Sequence, residues 1–217
     1  MHFGHNNPHY VYYIKNEPIV AKDTHSDLGL VVDDTLKFHK HADTVITKTM
    51  KKAHYILKSF TRIGTRSFSI LYKTFLRPVL EYALQIGRPC YSTYLSRLEK
   101  CQRRLTKWCR PIRHLSYHER LSSLNLSEFQ LRLTRGDLIL TYKILNHLVD
   151  LNVSDFFCYS SSNTRGHDFR LVGNVSALNI RHRFFTERII SKWNSLPHEV
   201  VSAPTLNSFK SQLDKVL

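Results

Sequence analysis

Apolar residues recur at helical spacing through the middle of the chain, and this periodicity constrains the fold more than any other feature of the sequence. The first run comprises Ile46, Met50, Ala53, Leu57 and Phe60. The second comprises Phe68, Leu71, Tyr72, Phe75, Leu76 and Val79. Residues three and four apart share one face of an α-helix, so both runs predict amphipathic helices. Gly64 is expected to end the first. Pro78 is expected to kink or end the second, because proline lacks the N–H donor and crowds the preceding turn.

Two sequence patterns mark further helix starts. Ser116 with Glu119, and Ser127 with Gln130, match the capping box, in which the first and fourth side chains bind each other's backbone N–H groups. The second box opens a long stretch of helical periodicity that reaches about Val149. The region from residue 36 to about 150 is therefore predicted to be helical.

The two ends of the chain show other patterns. Near the N-terminus, three stretches rich in β-branched and aromatic residues, 10–14, 19–20 and 28–32, predict a small antiparallel sheet. After residue 150 the chain becomes polar and irregular, and helical spacing returns only at 184–193 and 206–217. We therefore predict a mainly α fold in three segments: short β-strands over 1–35, a helical bundle over 36–150 and a partly helical C-terminal segment over 151–217.

The balance of charge favours a polyanionic partner. The 217 residues include 32 Lys and Arg against 17 Asp and Glu, a net charge of +15. Each phosphate that a basic side chain neutralises releases a condensed counterion, so nucleic acid is favoured over an acidic membrane surface. No apolar run approaches the roughly 18 residues of a membrane span, so no membrane partner is expected. The N-terminal residues lack the pattern of a secretory signal, and an intracellular protein is expected, with nucleus and cytoplasm both open.

A stretch without acidic residues concentrates part of this charge. Between Thr44 and Leu80 the chain has no Asp or Glu, and its eight basic residues are Lys48, Lys51, Lys52, Lys58, Arg62, Arg66, Lys73 and Arg77. Helix faces in solvent usually mix the two signs, and a face of one sign is repulsive unless an anion offsets it. The stretch is therefore predicted to contact phosphates, with an ordinary solvated surface as the alternative.

A third predicted helix, from about Tyr94 to Arg110 before Pro111, carries a sharper signal. At 100° per residue, four basic side chains fall within about 80° of one another: Arg97, Lys100, Arg104 and Lys107. The nearly opposite side holds Leu95, Leu98, Gln102, Leu105 and Cys109. This helix should dock through one side and present a basic ridge, widened by Arg103, Arg110 and Arg113, that can follow a phosphate backbone without reading bases.

Ten residues from these two regions are the predicted nucleic-acid contacts. We call them the basic face: Arg97, Lys100, Arg103, Arg104, Lys107, Lys48, Lys51, Lys52, Lys58 and Arg62.

No arrangement of residues predicts catalysis. Asp33 and Asp34 are the only adjacent Asp residues, and their position between a strand and a helix favours a helix N-cap over metal binding. The sequence contains no Gly-x-Ser-x-Gly, no glycine-rich phosphate loop and no His-Glu-x-x-His. The four cysteines, Cys90, Cys101, Cys109 and Cys158, form no Cys-x-x-Cys pair. Cys101 and Cys109, eight residues apart, are interpreted as buried free thiols rather than ligands of one metal. We predict no catalytic residue and no metal site.

Nine short phrases, in order, resemble the region that follows the active-site strand in reverse transcriptases of non-LTR retrotransposons. In the first half of the chain they are Phe3–Asn7 (FGHNN), Asp27–Asp33 (DLGLVVD), Leu71–Tyr82 (LYKTFLRPVLEY), Leu98–Lys107 (LEKCQRRLTK) and Tyr117–Leu121 (YHERL). In the second half they are Arg135–Leu138 (RGDL), Thr164–His167 (TRGH), Phe184–Arg188 (FFTER) and Trp193–Pro197 (WNSLP).

This resemblance implies a division of labour along the chain. Residues to about 35 look like the last strands of the palm beside the primer grip, the helices beyond look like the thumb that lies along the template–primer duplex, and the last third looks like the element-specific C-terminal segment. The fingers, the palm strand with its paired Asp residues and an upstream endonuclease have no counterpart here. The intact enzyme would need Mg²⁺, whereas this chain alone is expected to be catalytically inactive.

The resemblance therefore predicts a reverse-transcriptase fragment that binds an RNA–DNA hybrid or duplex. A standalone nucleic-acid-binding module domesticated from such an element, and a non-functional translated remnant, are the alternatives. Whether a separate palm fragment complements the chain is open at the level of sequence.

Overall fold

The computed structural model describes residues 1–4, 6–160, 167–173 and 180–217. Its elements are helices with a few two-stranded antiparallel sheets, so the predicted mainly α class is confirmed. The chain forms two compact units, Met1–Leu126 and Ser127–Leu217. This boundary differs from those of the three predicted segments. The N-terminal strands fall in the first unit because they hydrogen-bond to its first long helix. The long helix after residue 127 falls in the second unit because it packs on the C-terminal helix.

The first unit begins with two separate hairpins. Strand β1 (Tyr13–Ile14) pairs with β2 (Glu17–Pro18), and β3 (Thr24–Asp27) pairs with β4 (Leu30–Asp33), both antiparallel. The predicted stretches 10–14 and 28–32 are strands only in part, at 13–14 and 30–32, and 19–20 is not a strand. The predicted single sheet is replaced by two separate pairs.

Helix α1 (His39–Lys58) is the longest element and buries the side that carries His41, Ala42, Val45, Thr49 and Ala53. His41 is fully buried, and its Nδ1 accepts the Val31 N–H of β4 at 3.3 Å. Its Nε2 therefore carries the proton and donates to the Tyr82 carbonyl at 2.9 Å. This imidazole fixes the second hairpin against the helices.

Pro78 reshapes the second predicted helix. Helix α2 (Thr65–Leu71) runs into a π-helical turn (Tyr72–Leu76) and then α3 (Arg77–Leu80). The wider turn ends two residues before the proline, where a missing N–H donor and the bulk of the ring disturb the regular hydrogen-bond ladder. Pro78 is predicted to kink or end this helix, and the helix does end at Leu80, two residues after the proline.

The rest of the first unit consists of α4 (Ser92–Thr106), a 3₁₀ turn (Arg110–Ile112) and α5 (Tyr117–Ser123). The α-helix ends four residues earlier than predicted, and the chain turns before Pro111 rather than at it. The Ser116 capping box is confirmed: its backbone N–H donates to Glu119 Oε2 at 2.8 Å, and its hydroxyl accepts the Glu119 N–H.

The second unit is built on α6 (Phe129–Leu145). The Ser127 capping box is not formed, because the N-cap residue is Glu128 and no side chain caps the helix. Shorter elements follow: α7 (Val153–Phe156), β5 (Cys158–Tyr159), β6 (Leu171–Val172), a 3₁₀ turn (Arg181–Arg183), α8 (Phe185–Arg188), α9 (Ile190–Asn194), α10 (His198–Val201) and α11 (Leu206–Val216).

Aromatic packing holds the second unit together. Tyr142 of α6 stacks on Phe209 of α11 with ring centroids 4.3 Å apart, and Trp193 lies 6.1 Å from Phe209. All three are almost completely buried. The Tyr142 hydroxyl donates to the Ala203 carbonyl at 2.7 Å, so the polar end of this ring is satisfied.

Three of the tail phrases quoted above meet in this unit and have structural roles. Asp137 binds the Arg188 guanidinium with both oxygens at 2.9 Å, and both side chains are largely buried. The Asn194 side chain pairs with the backbone N–H and C=O of Leu171, at 2.9 and 2.8 Å. In a fourth phrase His167 Nε2 lies 3.2 Å from the Trp193 carbonyl, while residues 164–166, and His5 near the N-terminus, fall outside the described residues.

Candidate nucleic-acid interface

Helix α4 is amphipathic as its sequence predicts. The side opposite the ridge is buried, with Leu98, Gln102, Leu105 and Cys109 at 0% exposure and Leu95 at 7%. The ridge residues are all exposed: Arg97, Lys100, Arg104 and Lys107. The predicted orientation of this helix is therefore confirmed, whereas the binding role of its basic side remains a prediction.

A hydrogen-bond network explains why a glutamine lies on the buried side. Gln102 accepts from the Tyr72 hydroxyl at 2.7 Å and donates to the Tyr117 hydroxyl at 2.9 Å. Tyr117 in turn donates to Glu99. Burial, followed by the neighbouring Glu99 carboxylate, raises the pKa of Tyr117, so this phenol stays a donor. The network ties α4 to the π-helical turn and to α5.

Arg120 fixes the C-terminal end of α4. Its guanidinium is buried and donates to Thr106 Oγ1 at 3.2 Å, to the Leu115 carbonyl at 2.6 Å and to the Arg103 carbonyl at 3.5 Å. These bonds satisfy backbone acceptors near a helix end. Arg120 thereby links the loop that contains Leu115 to the C-terminal end of α4.

All ten residues of the basic face are exposed to solvent. Among the residues that the structure describes, nine of the ten have no carboxylate within 4.0 Å, and the exception is Arg97. Arg97 lies 2.6 Å from Asp43 of α1 and 5.1 Å from the Tyr94 ring. The basic face therefore keeps most of its charge uncompensated.

Two further members of the basic face lie on aromatic rings. The Arg103 guanidinium is 4.6 Å from the centre of the Tyr117 ring, and the Lys52 ammonium is 5.7 Å from that of Phe75. Such contacts hold a cation in place without neutralising its charge. Both side chains remain exposed and able to contact an anion.

A groove lies where α1 and α4 end, and its volume is about 630 Å³. Its ten lining residues are His54, Leu57, Lys58, Phe60, Thr61, Ile63, Lys107, Trp108, Arg110 and Arg113. Sequence reasoning placed Arg110 and Arg113 beside the ridge but missed Trp108. It also placed Phe60 on the apolar side of the first helix. That placement was wrong, because α1 ends at Lys58 and the Phe60 side chain beyond it is 48% exposed.

The Asp33–Asp34 pair has a structural role that differs from the predicted N-cap. The residue before α1 is Phe38, in a left-handed conformation. The buried Asp33 carboxylate accepts the Phe38 N–H at 2.8 Å, the Lys37 N–H at 3.1 Å and the Thr35 hydroxyl. Burial opposes ionisation, but these hydrogen bonds outweigh it and hold the pKa of Asp33 below its ordinary value.

The Asp33 carboxylate therefore accepts three hydrogen bonds from the turn before α1. Within the described part of the chain, no three His, Cys, Asp or Glu side chains are grouped to hold a metal.

Charge is divided unequally between the two units. Met1–Leu126 has 21 Lys and Arg against 9 Asp and Glu, and Ser127–Leu217 has 11 against 8. The first unit therefore carries +12 of the net +15. The basic face lies entirely in this unit. In the described residues, no helix is both long and apolar enough to cross a membrane.

Comparisons with known proteins identify a relative but no activity. No family model matches the chain, and no solved structure matches it. It is similar to an uncharacterised protein of Caenorhabditis elegans, with 27% identity over 116 residues. The match covers 52% of this chain and 58% of that protein's length.

Proposed function

We propose that the first unit binds duplex nucleic acid through the basic face, as the thumb-like part of a chain derived from a non-LTR reverse transcriptase. One observation carries the proposal: nine exposed cations without a carboxylate partner among the described residues lie on helices α1 and α4 and in the segments that directly follow them. Side chains of like charge on one face repel one another, and phosphates relieve that repulsion while releasing counterions.

The contacts of such a face are with phosphates rather than bases. Lys and Arg on an exposed helix ridge can follow a sugar–phosphate backbone, which carries no sequence information of its own. The resemblance to the thumb of reverse transcriptases supports an RNA–DNA hybrid or other duplex as the partner. The Asp33 carboxylate accepts hydrogen bonds from backbone N–H groups, and we assign no polymerisation step to this chain.

The test is fluorescence anisotropy of a labelled RNA–DNA duplex with purified protein over a series of salt concentrations. The wild-type chain should bind with an affinity that falls steeply as salt rises. Lys100→Glu with Arg104→Glu should weaken binding about tenfold or more and lower the salt slope by about 2, since each lost phosphate contact removes roughly one. Arg97 is left unchanged because its reversal would place a second carboxylate beside Asp43.

A matched control separates a defined face from diffuse charge. Lys192→Glu with Lys215→Glu changes the net charge by the same amount at exposed positions of the second unit. This variant should bind almost as well as wild type. Equal weakening by both variants would assign binding to overall charge, and absence of binding by the folded wild-type chain at low salt would refute the proposal.

A further inference from the structure

The groove at the ends of α1 and α4 brings basic side chains and aromatic surface together in one concave site. Four of its ten lining residues are Lys or Arg and none is Asp or Glu, while Trp108 and Phe60 offer aromatic surface. At about 630 Å³ it falls within the range of pockets that hold small organic molecules. Its charge complements an anion, and its rings suit a planar group.

Two of its cations belong also to the basic face. Lys58 ends α1 and Lys107 directly follows α4, so both line the groove and continue the basic face into it. A backbone that follows the ridge towards the C-terminal end of α4 therefore arrives at the groove. Cations at helix C-termini also offset the helix dipole, which accounts for Lys58 and Lys107 but not for the two arginines or the aromatic rings.

The two rings differ from the core aromatics. Phe60 is 48% exposed, and Trp108 is half-buried in the turn after α4, where its backbone N–H donates to the Leu105 carbonyl at 3.0 Å. Aromatic side chains beside cations are the arrangement that single-strand-binding proteins use, because every nucleobase has a face that can stack. Paired bases within a duplex are already stacked and cannot use such rings.

We propose that this groove takes an unpaired nucleotide segment at the end of the bound duplex, with a base stacked on Trp108 or Phe60 and phosphates beside Lys58, Lys107, Arg110 and Arg113. The proposal rests on the proposed function, since the duplex on the basic face delivers the single strand. It assigns to the chain a preference for a junction between duplex and single strand.

The first experiment compares three forms of one labelled duplex: blunt, with a short single-stranded overhang, and with an overhang of the same length that lacks bases. The overhang with bases should bind about tenfold more tightly than the blunt duplex, and the abasic overhang should give little of this gain. Trp108→Ala and Phe60→Ala should each reduce the gain, whereas Trp108→Phe, which keeps a ring, should retain most of it.

Tryptophan fluorescence gives an independent readout. The chain has two tryptophans, and Trp193 is 99% buried in the core of the second unit. The overhang should therefore quench wild-type emission by stacking on Trp108. Trp108→Phe should bind the overhang without this quenching. If Trp108→Ala fails to fold, the fluorescence of the wild-type chain and the binding of Phe60→Ala, a change at an exposed position, still test whether a base stacks in the groove.

The outcomes separate the two proposals. Salt-dependent binding of the blunt duplex without gain from the overhang would overturn this inference and leave the proposed function standing. An equal gain from the abasic overhang would also overturn it, because phosphates alone would then account for the effect. Quenching by a poly-glutamate peptide and not by the overhang would assign the groove to an acidic protein. No binding of any duplex would refute both proposals.

Discussion

At the residue scale, the burial of His41 should make the free energy of unfolding depend on pH. Its Nδ1 must be unprotonated to accept the Val31 N–H. Burial lowers the pKa of His41, the hydrogen bond to the Tyr82 carbonyl opposes this shift, and the positive charge of Lys48 adds to it. The neutral imidazole is therefore part of the folded state.

The free energy of unfolding should fall as pH falls below about 6.5, the ordinary pKa of histidine. Between that value and the lower pKa of the folded state, the unfolded chain binds more protons, so acid favours unfolding in that window. Urea denaturation at pH 7.5 and at pH 5.5 measures the loss. His41→Gln, which does not titrate, should show a smaller pH-dependent loss than wild type.

Exposed His182→Gln is the control, and it should keep the full pH dependence. If His41→Gln and His182→Gln behaved alike, the imidazole of His41 would have no special role in acid stability.

The buried ion pair in the second unit supports a second prediction at this scale. Asp137→Ala would leave the Arg188 guanidinium, only 10% exposed, without its bidentate partner. Removing one partner of a buried pair typically costs about 3–5 kcal/mol. Asp214→Ala, which breaks the more exposed pair with Arg135, should cost under about 1 kcal/mol. Urea denaturation of both variants followed by circular dichroism makes the comparison, and equal losses would contradict the assignment.

At the scale of elements, the first hairpin stands out because its apolar side chains face solvent. The segment 10–20 exposes Tyr10, Val11, Tyr12, Tyr13, Ile14, Ile19 and Val20, each by 49% or more. A two-stranded ribbon with β-branched and aromatic residues has unpaired edges that can pair with another copy. Burial within the first unit therefore contributes little to holding this hairpin.

We expect self-association that rises with protein concentration and depends on this segment. Val11→Lys with Tyr13→Lys should reduce association, measured by sedimentation velocity, and should change the free energy of unfolding by less than about 0.5 kcal/mol because both side chains are exposed. Val216→Lys with Leu217→Lys adds the same charge at exposed apolar positions of the other unit. Association that both variants reduced equally would reflect net charge and not the hairpin.

At the scale of the whole molecule, the two units differ in what dominates them. The first unit carries most of the charge and the whole basic face, and its helices are joined by buried polar contacts such as those of Gln102, His41 and Arg120. The second unit is nearly balanced in charge and is organised around Trp193, Tyr142 and Phe209. Polyanion binding therefore belongs to the first unit in our proposal, whereas the described residues Asp137, Arg188 and Asn194 of the tail phrases make hydrogen bonds within the second unit.

Local patterns in the sequence determined the mainly α class, the amphipathic orientation of α4, the disturbance at Pro78 and the cap at Ser116. Each depends on residues a few positions apart, whose geometry in a helix is set by sterics and backbone hydrogen bonds. The ten members of the basic face could be named from charge and spacing alone. Their exposure to solvent follows from their charge, because an unpaired cation is costly to bury.

Tertiary structure alone decided what distant residues do together. The groove forms from residues at the ends of two helices about 50 positions apart, and Trp108 carries no local sign of belonging to it. Likewise Asp33 caps the turn before α1 rather than the helix itself, and Asp137 meets Arg188 across 51 residues. Such contacts depend on how the helices pack, and packing minimises the free energy of the whole unit rather than of any one segment.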